Sequence, residues 1–312
     1  MAFAQDLAED LQMGDSLFLN KPDTQKQSHD GVSNDSLHFG VSSMRGWRVD
    51  QEDAHLTIPE FDENAHFFAV FDGHGGSEVS RGAAKTIGNL LKSLPAYKQG
   101  HYRDALIEAF VSFDRSPAAN HSSGTTACCA FIKNNTLYVA NAGDSRCVIS
   151  KNGQAKDMSI DHNPTSPKEA ARIENAGGTV TEDGRIDANL DHQINLSRAL
   201  GDHDYKQNPD LPLTKQMVSP KPDVFPMTID QSLEFMVVAC DGIWTCLTSQ
   251  EVVDFIRPRL MQHEKYPKIS LIIEELFNTI VAPQLTDEGT GTDNMTCIVV
   301  VFHQPHQQTG GG

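Results

Sequence analysis

The chain has 312 residues and a formal charge of −17, from 42 acidic against 25 basic side chains, and 38% of it is hydrophobic. That is enough to bury a sizeable core, in one large domain or two ordinary ones, and too apolar and varied for a chain disordered throughout. The acidic excess argues against a partner with a nucleic-acid backbone or an anionic membrane surface, both of which would repel it.

Residues 1–36 read as a polar N-terminal extension without strand patterning, although Phe3, Leu7 and Leu11 allow a short helix. Asp6, Glu9 and Asp10 stand where a signal peptide needs an apolar stretch. No apolar run approaches the length of a bilayer span, so a soluble intracellular protein without membrane insertion is expected.

Strands and helices then alternate densely. Residues 37–44, 54–58 and 65–71 read as strands. Residues 77–93 read as a helix with Val79, Ala83, Ile87, Leu90 and Leu91 on one face. Residues 102–114 read as another, with Leu106, Ile107, Phe110 and Phe113 together. Strands at 125–132 and 136–140 flank Lys133-Asn134-Asn135, and the strand at 147–150 runs into Lys151-Asn152-Gly153, two hairpin signatures. A helix is expected over 166–176, with Pro167 in its first turn and Gly177-Gly178 ending it. A buried strand at 235–239, helices at 249–256 and 268–280, and a closing strand at 295–302 complete the pattern. Residues 304–312 read as a disordered tail or an expression remnant. Two-residue turns force antiparallel neighbours, so the expected architecture is antiparallel sheets packed face to face with helices outside. The six cysteines lack metal spacing and mostly sit in apolar runs, as small buried residues of a reducing compartment do.

The strongest chemical signal is acidic. Asp72, Asp144 and Asp241 each follow an apolar strand, and Asp293 precedes one. Gly73 and Gly242 directly follow two of them, allowing tight turning. One such Asp merely opens an Asx-turn. Four together would repel unless cations sat among them, and all-oxygen ligands suit Mg²⁺ or Mn²⁺ rather than zinc. A second signal is Arg48 with Glu52 and Asp53. In an extended segment Arg48 and Glu52 share a face, and a guanidinium grips two phosphate oxygens at once.

These stretches bring a resemblance. Residues 48–54 (Arg-Val-Asp-Gln-Glu-Asp-Ala), 70–76 (Val-Phe-Asp-Gly-His-Gly-Gly), 140–146 (Ala-Asn-Ala-Gly-Asp-Ser-Arg), 196–202 (Leu-Ser-Arg-Ala-Leu-Gly-Asp), 239–244 (Ala-Cys-Asp-Gly-Ile-Trp) and 291–296 (Gly-Thr-Asp-Asn-Met-Thr) resemble, in order, the metal-dependent protein phosphatases of type 2C. Ser123-Gly124-Thr125-Thr126-Ala127, Asp161-His162, 172–178 and Lys221-Pro222-Asp223 match as well. The resemblance covers residues 37–303 and implies an α+β fold, a four-layer α-β-β-α sandwich of mostly antiparallel sheets, as one catalytic domain. It implies two Mg²⁺ or Mn²⁺ ions and a weaker third. Asp72 would bridge the two ions, Asp241 and Asp293 would complete one site, and Glu52 with the Gly73 carbonyl the other. Asp53 would hold metal-bound waters and Asp144 would belong to the third site. Arg48 would bind the substrate phosphate, and His74 would be the general acid.

The implied activity is serine/threonine phosphoprotein hydrolysis by direct attack of a metal-bridging hydroxide, in a monomer of the cytoplasm and nucleus. The alternative is a pseudophosphatase or phosphoprotein-binding module; a nuclease is disfavoured by the charge. His55 and His162 read as structural, Arg198 with Asp202 as an internal ion pair, and Trp244 as packing beneath Asp241. The loop at 204–218 is expected beside the site, shaping substrate choice. One departure from the family pattern is Thr245, where a second Asp usually serves the third metal; a hydroxyl is the weaker ligand, so that site should need more cation. Ala2 stands where myristoylated relatives carry Gly, so lipidation is not expected.

Overall fold

A computed structural model describes residues 17–33, 37–188, 190, 193–285 and 289–302. In chain order it begins with β1 (Phe18–Ser33), β2 (Leu37–Arg48), β3 (Ala54–Asp62), β4 (Ala65–Phe71) and β5 (Gly73–His74), then helices α1 (Glu78–Ser93), α2 (Pro95–Lys98) and α3 (Tyr102–Asp114). Next come β6 (Gly124–Thr125), β7 (Ala127–Lys133), β8 (Thr136–Ala142), β9 (Arg146–Lys151), β10 (Gln154–Asp157) and α4 (Pro167–Asn175). The short strands β11 (Thr179–Val180), β12 (Ile186–Asp187) and β13 (Leu200–Gly201) lead to β14 (Asp223–Thr228) and β15 (Leu233–Ala239). The chain continues through α5 (Asp241–Trp244), α6 (Ser249–Leu260), α7 (Ile269–Ile280) and β16 (Met295–Val301).

Six strands form one sheet in the order β1-β2-β16-β15-β9-β10, and five form another in the order β14-β8-β7-β4-β3. Their neighbours pair antiparallel throughout. The uninterrupted apolar runs are central strands covered on both faces. In β4, Phe68 and Val70 pack between the sheets with Phe39, Val41, Val238 and Ile298, while Phe67, Ala69 and Phe71 pack under Ile87, Leu106 and Phe110 of α1 and α3. In β15, Met236 and Val238 face inward, and Phe235 and Val237 meet Val252, Ile273 and Phe277 of α6 and α7. Three apolar layers thus separate helix, sheet, sheet and helix, the expected four-layer sandwich.

Both expected hairpins form. Asn134 and Asn152 take left-handed φ values of 53° and 52°, and Asn64 does the same at 49° between β3 and β4, the conformation that tight hairpin turns demand.

The front of the chain differs from expectation. Residues 18–33 form the edge strand β1, paired with β2 from Phe18↔Arg48 to Ser33↔Leu37 with two register shifts. Lys21, Pro22, Asp23 and Lys26 lie along it. Charge, proline and bulges guard an edge against further pairing, and they also erase the apolar alternation that marks a strand. The helix considered at Phe3 to Leu11 and the tail 304–312 lie outside the described residues. All six cysteines are free, and among the described residues no helix is long and apolar enough to cross a membrane.

Candidate metal centre

The chain crosses between the two large sheets at one end of the sandwich. Residues 49–53 carry it from β2 to β3, and residues 143–145 from β8 to β9. The acids sit at these crossings and at neighbouring strand ends. Glu52 and Asp53 lie in the first crossing and Asp144 in the second. Asp72 stands between β4 and β5, Asp241 opens α5 after β15, and Asp293 lies just before β16.

Carboxylate oxygens of Asp72, Asp144 and Asp241 come within 4.8 Å of one another, and Asp53, Asp72 and Cys240 form a second such group. Burial drives the Asp72 carboxyl well above its ordinary value, reinforced by Asp241, Asp53, Asp293 and Asp144. Burial first, then Asp241 and Asp161, raises Asp144. Burial and then Asp293 raises Asp241. The same forces raise Asp53, against a hydrogen bond from the Thr296 hydroxyl at 2.7 Å. Asp53 Oδ1 is buried without a hydrogen-bond partner among the described residues. Massed carboxylates with an orphaned oxygen fit hard divalent cations. The thiol does not join them. Burial, then Asp53 and Asp72, holds Cys240 well above the ordinary thiol value, its Sγ donates to the Asn294 carbonyl at 3.5 Å, and it accepts from Thr296 N–H at 3.1 Å.

Local folding fixes the rest. A Cβ on Gly73 would lie 2.3 Å from the Glu52 carbonyl, so this approach of chain to chain requires glycine. Glu52 accepts from the Gly76 N–H at 2.7 Å. Its own N–H donates to Asn294 Oδ1 at 2.9 Å, while Asn294 Nδ2 donates to the carbonyls of Arg45 and Asp50 at 2.8 and 3.0 Å. Asn294 therefore ties the first crossing to the start of β16, a role that sequence reading did not assign, although its place directly after Asp293 was a signal. Arg48 Nη2 donates to Asp293 Oδ2 at 2.7 Å, and the guanidinium lies 5.5 Å from the Phe18 ring centre. Its Nε is buried without a hydrogen-bond partner among the described residues.

His74 Nε2 lies 2.8 and 2.9 Å from the two oxygens of Asp202. Burial works to lower its imidazole, but Asp202, Asp144 and Glu52 outweigh it and raise the group above its ordinary value. This pairing corrects the expected Arg198–Asp202 ion pair. Arg198 instead meets Glu169 at 2.7 Å and Asp223 at 3.0 Å. His162 is structural as expected, accepting at Nδ1 from the Gly143 N–H at 3.2 Å and meeting Asp223 at 3.2 Å through Nε2. Burial, then His29, lowers His55 to about 4, so it sits neutral. Trp244 is buried with its Nε1 donating to the Ala239 carbonyl at 2.8 Å.

An open cavity of about 410 Å³ gathers Arg48, Glu52, Asp72, Gly73, His74, Asp144, Asp202, Asp241 and Asp293. Of the expected site residues only Asp53 stays behind its wall. Arg185, Gln193, Ile194, Asn195 and Leu196 also line the cavity. The 204–218 loop, which begins two residues after Asp202, supplies none of the lining itself.

The model of the protein phosphatase 2C family matches residues 37–289. The "Probable protein phosphatase 2C 21" of Arabidopsis thaliana is 40% identical, covering 93% of each chain. The "Protein phosphatase 2C homolog 2" of Schizosaccharomyces pombe is 40% identical over 91% of this chain and 78% of that one. Among solved structures, a phosphatase from Toxoplasma gondii superposes with a TM-score of 0.73 at 26% identity, covering 90% of this chain and 96% of that one.

Proposed function

The chain belongs to the protein phosphatase 2C family, and from that premise we propose that it hydrolyses phosphoserine and phosphothreonine in proteins with Mg²⁺ or Mn²⁺ at the carboxylate centre. The observation that carries this reading is the meeting of Asp72, Asp144 and Asp241 in one cavity with Arg48 and His74. Asp72, Asp241, Asp293, Glu52 and the Gly73 carbonyl would hold the two principal cations, with Asp144 serving a weaker third. Bound there, such cations supply an activated water for in-line attack at phosphorus and offset the charge of the phosphate.

The side chains divide the remaining work. Arg48 pairs with phosphoryl oxygens, since its planar fork matches them and its position at the end of β2 is braced by Asp293 and Phe18. Asp53, behind the cavity wall, orients water near the cations. His74 gives a proton to the serine or threonine oxygen as it leaves, help worth roughly 100- to 10,000-fold. Asn294 and the Gly76 N–H keep Glu52 aimed at the centre.

The test is inorganic phosphate release from a phosphothreonine peptide, with Mn²⁺ or Mg²⁺ and again with EDTA, for wild type and Asp72→Ala. Release should require the cation and fall to background in the variant. Peptide binding without cation-dependent release would instead make the chain a phosphoprotein-binding module.

A further inference from the structure

We propose that Asp202 is a positioning residue for the proton transfer, holding His74 by Nε2 so that Nδ1 carries the proton given to the leaving oxygen. This rests on the reading of His74 as the proton donor. As the phosphorus–oxygen bond breaks, its electron pair stays on the serine or threonine oxygen, which takes the Nδ1 proton. Asp202 remains a carboxylate paired with Nε2–H, and solvent returns a proton to Nδ1.

Three independent features of the fold place this carboxylate. Asp202 has φ = 49°, a left-handed backbone that non-glycine residues seldom adopt. That turn carries its side chain away from Arg198 and back to His74. The strand pairing puts Gly124 directly opposite His74. A Cβ on Gly124 would lie 2.2 to 2.4 Å from the Asp202 carboxylate, so glycine there leaves the room through which the carboxylate reaches the imidazole. Finally, both flanks of Asp202 are tied to α3. Asp114 Oδ1 accepts from the Gly201 N–H at 2.8 Å and from Lys206 Nζ at 2.8 Å, and Lys206 also donates to the Ala199 carbonyl at 3.0 Å. The Asp114 and Lys206 side chains are fully buried. A carboxylate that merely balanced the charge of His74 would need none of this fixing.

The experiment compares two substrates at saturating Mn²⁺: a phosphothreonine peptide, whose alkoxide needs a proton, and p-nitrophenyl phosphate, whose nitrophenolate leaves far more readily without one. His74→Gln tests the underlying reading and should lose much more turnover on the peptide than on p-nitrophenyl phosphate. Asp202→Asn should reproduce that selectivity, with kcat on the peptide falling about 10- to 100-fold more than on the aryl ester. Gly124→Ala, which displaces the carboxylate without changing charge, should show the same selective loss. The double variant His74→Gln/Asp202→Asn should be no worse than His74→Gln alone. If His74→Gln is selective while Asp202→Asn and Gly124→Ala are silent, or lose both substrates equally, the positioning role is wrong and the donor role stands. If His74→Gln is not selective, the donor role fails and the positioning role falls with it.

Discussion

Thr245 spends its hydroxyl on the Asp241 carbonyl, 2.8 Å away, as an ordinary residue of a helical turn. A carboxylate at this position, one helical turn after Asp241, would add charge to the centre whose weaker third cation is proposed to lie at Asp144. Thr245→Asp should therefore lower the Mg²⁺ or Mn²⁺ concentration needed for half saturation, both in calorimetric titration and in phosphate release. Superimposable titrations would show that the hydroxyl is harmless. At this scale the sequence is generous with residues that stand next to one another and silent on those that do not. His74 came with the family resemblance, in the same short motif as Asp72. Its partner Asp202, 128 residues away, was read toward Arg198. The left-handed backbone that redirects it is a property of the folded turn.

Elements with two covered faces announce themselves, and the edge does not. The apolar runs of β4, β15 and β16 and the asparagine turns were readable because burial and positive φ restrict residue choice. β1 was missed because an edge strand is selected for charge and irregularity. It nevertheless reaches the site, since Phe18 lies under Arg48. Phe18→Ala should weaken phosphopeptide binding a few-fold, in line with a cation–π contact worth about 0.5–1 kcal/mol, and barely move Tm; an unchanged KM would remove Phe18 from the site's support. The tie between α3 and the Asp202 turn is a larger matter. Lys206→Met leaves Asp114 buried without its cation, a change that costs about 3–5 kcal/mol in comparable pairs. Urea denaturation of the cation-saturated protein measures it, and a loss below about 1 kcal/mol would mean that the pair is not held as described.

Across the molecule, the carboxylate centre links pH, cations and stability. The folded protein raises Asp241 to about 6, Asp53 to about 7 and Asp144 to about 8, and Asp72 well above its ordinary value. An unfolded Asp titrates near 3.9, so between that value and the folded ones the native state binds more protons than the unfolded state. The stability these groups contribute is complete below about pH 4 and is lost as pH rises through about 6 to about 8. In EDTA, Tm should fall across that interval. Added Mg²⁺ or Mn²⁺ should restore it, by more at pH 8 than at pH 6, because the cations take the place of the lost protons. A flat Tm in EDTA would refute the linkage.

The acids of the centre gather at crossings and strand ends at one end of the sandwich, and the far end carries the turns at Asn64, Asn134 and Asn152 together with the crossing at residues 229–232 from β14 to β15. The sandwich therefore has a working face and a handle. A tether, reporter or whole domain spliced at the Asn134-Asn135 turn would sit a strand's length from the carboxylates of the centre, so the enzyme could be fixed to a surface with its cavity facing the solution.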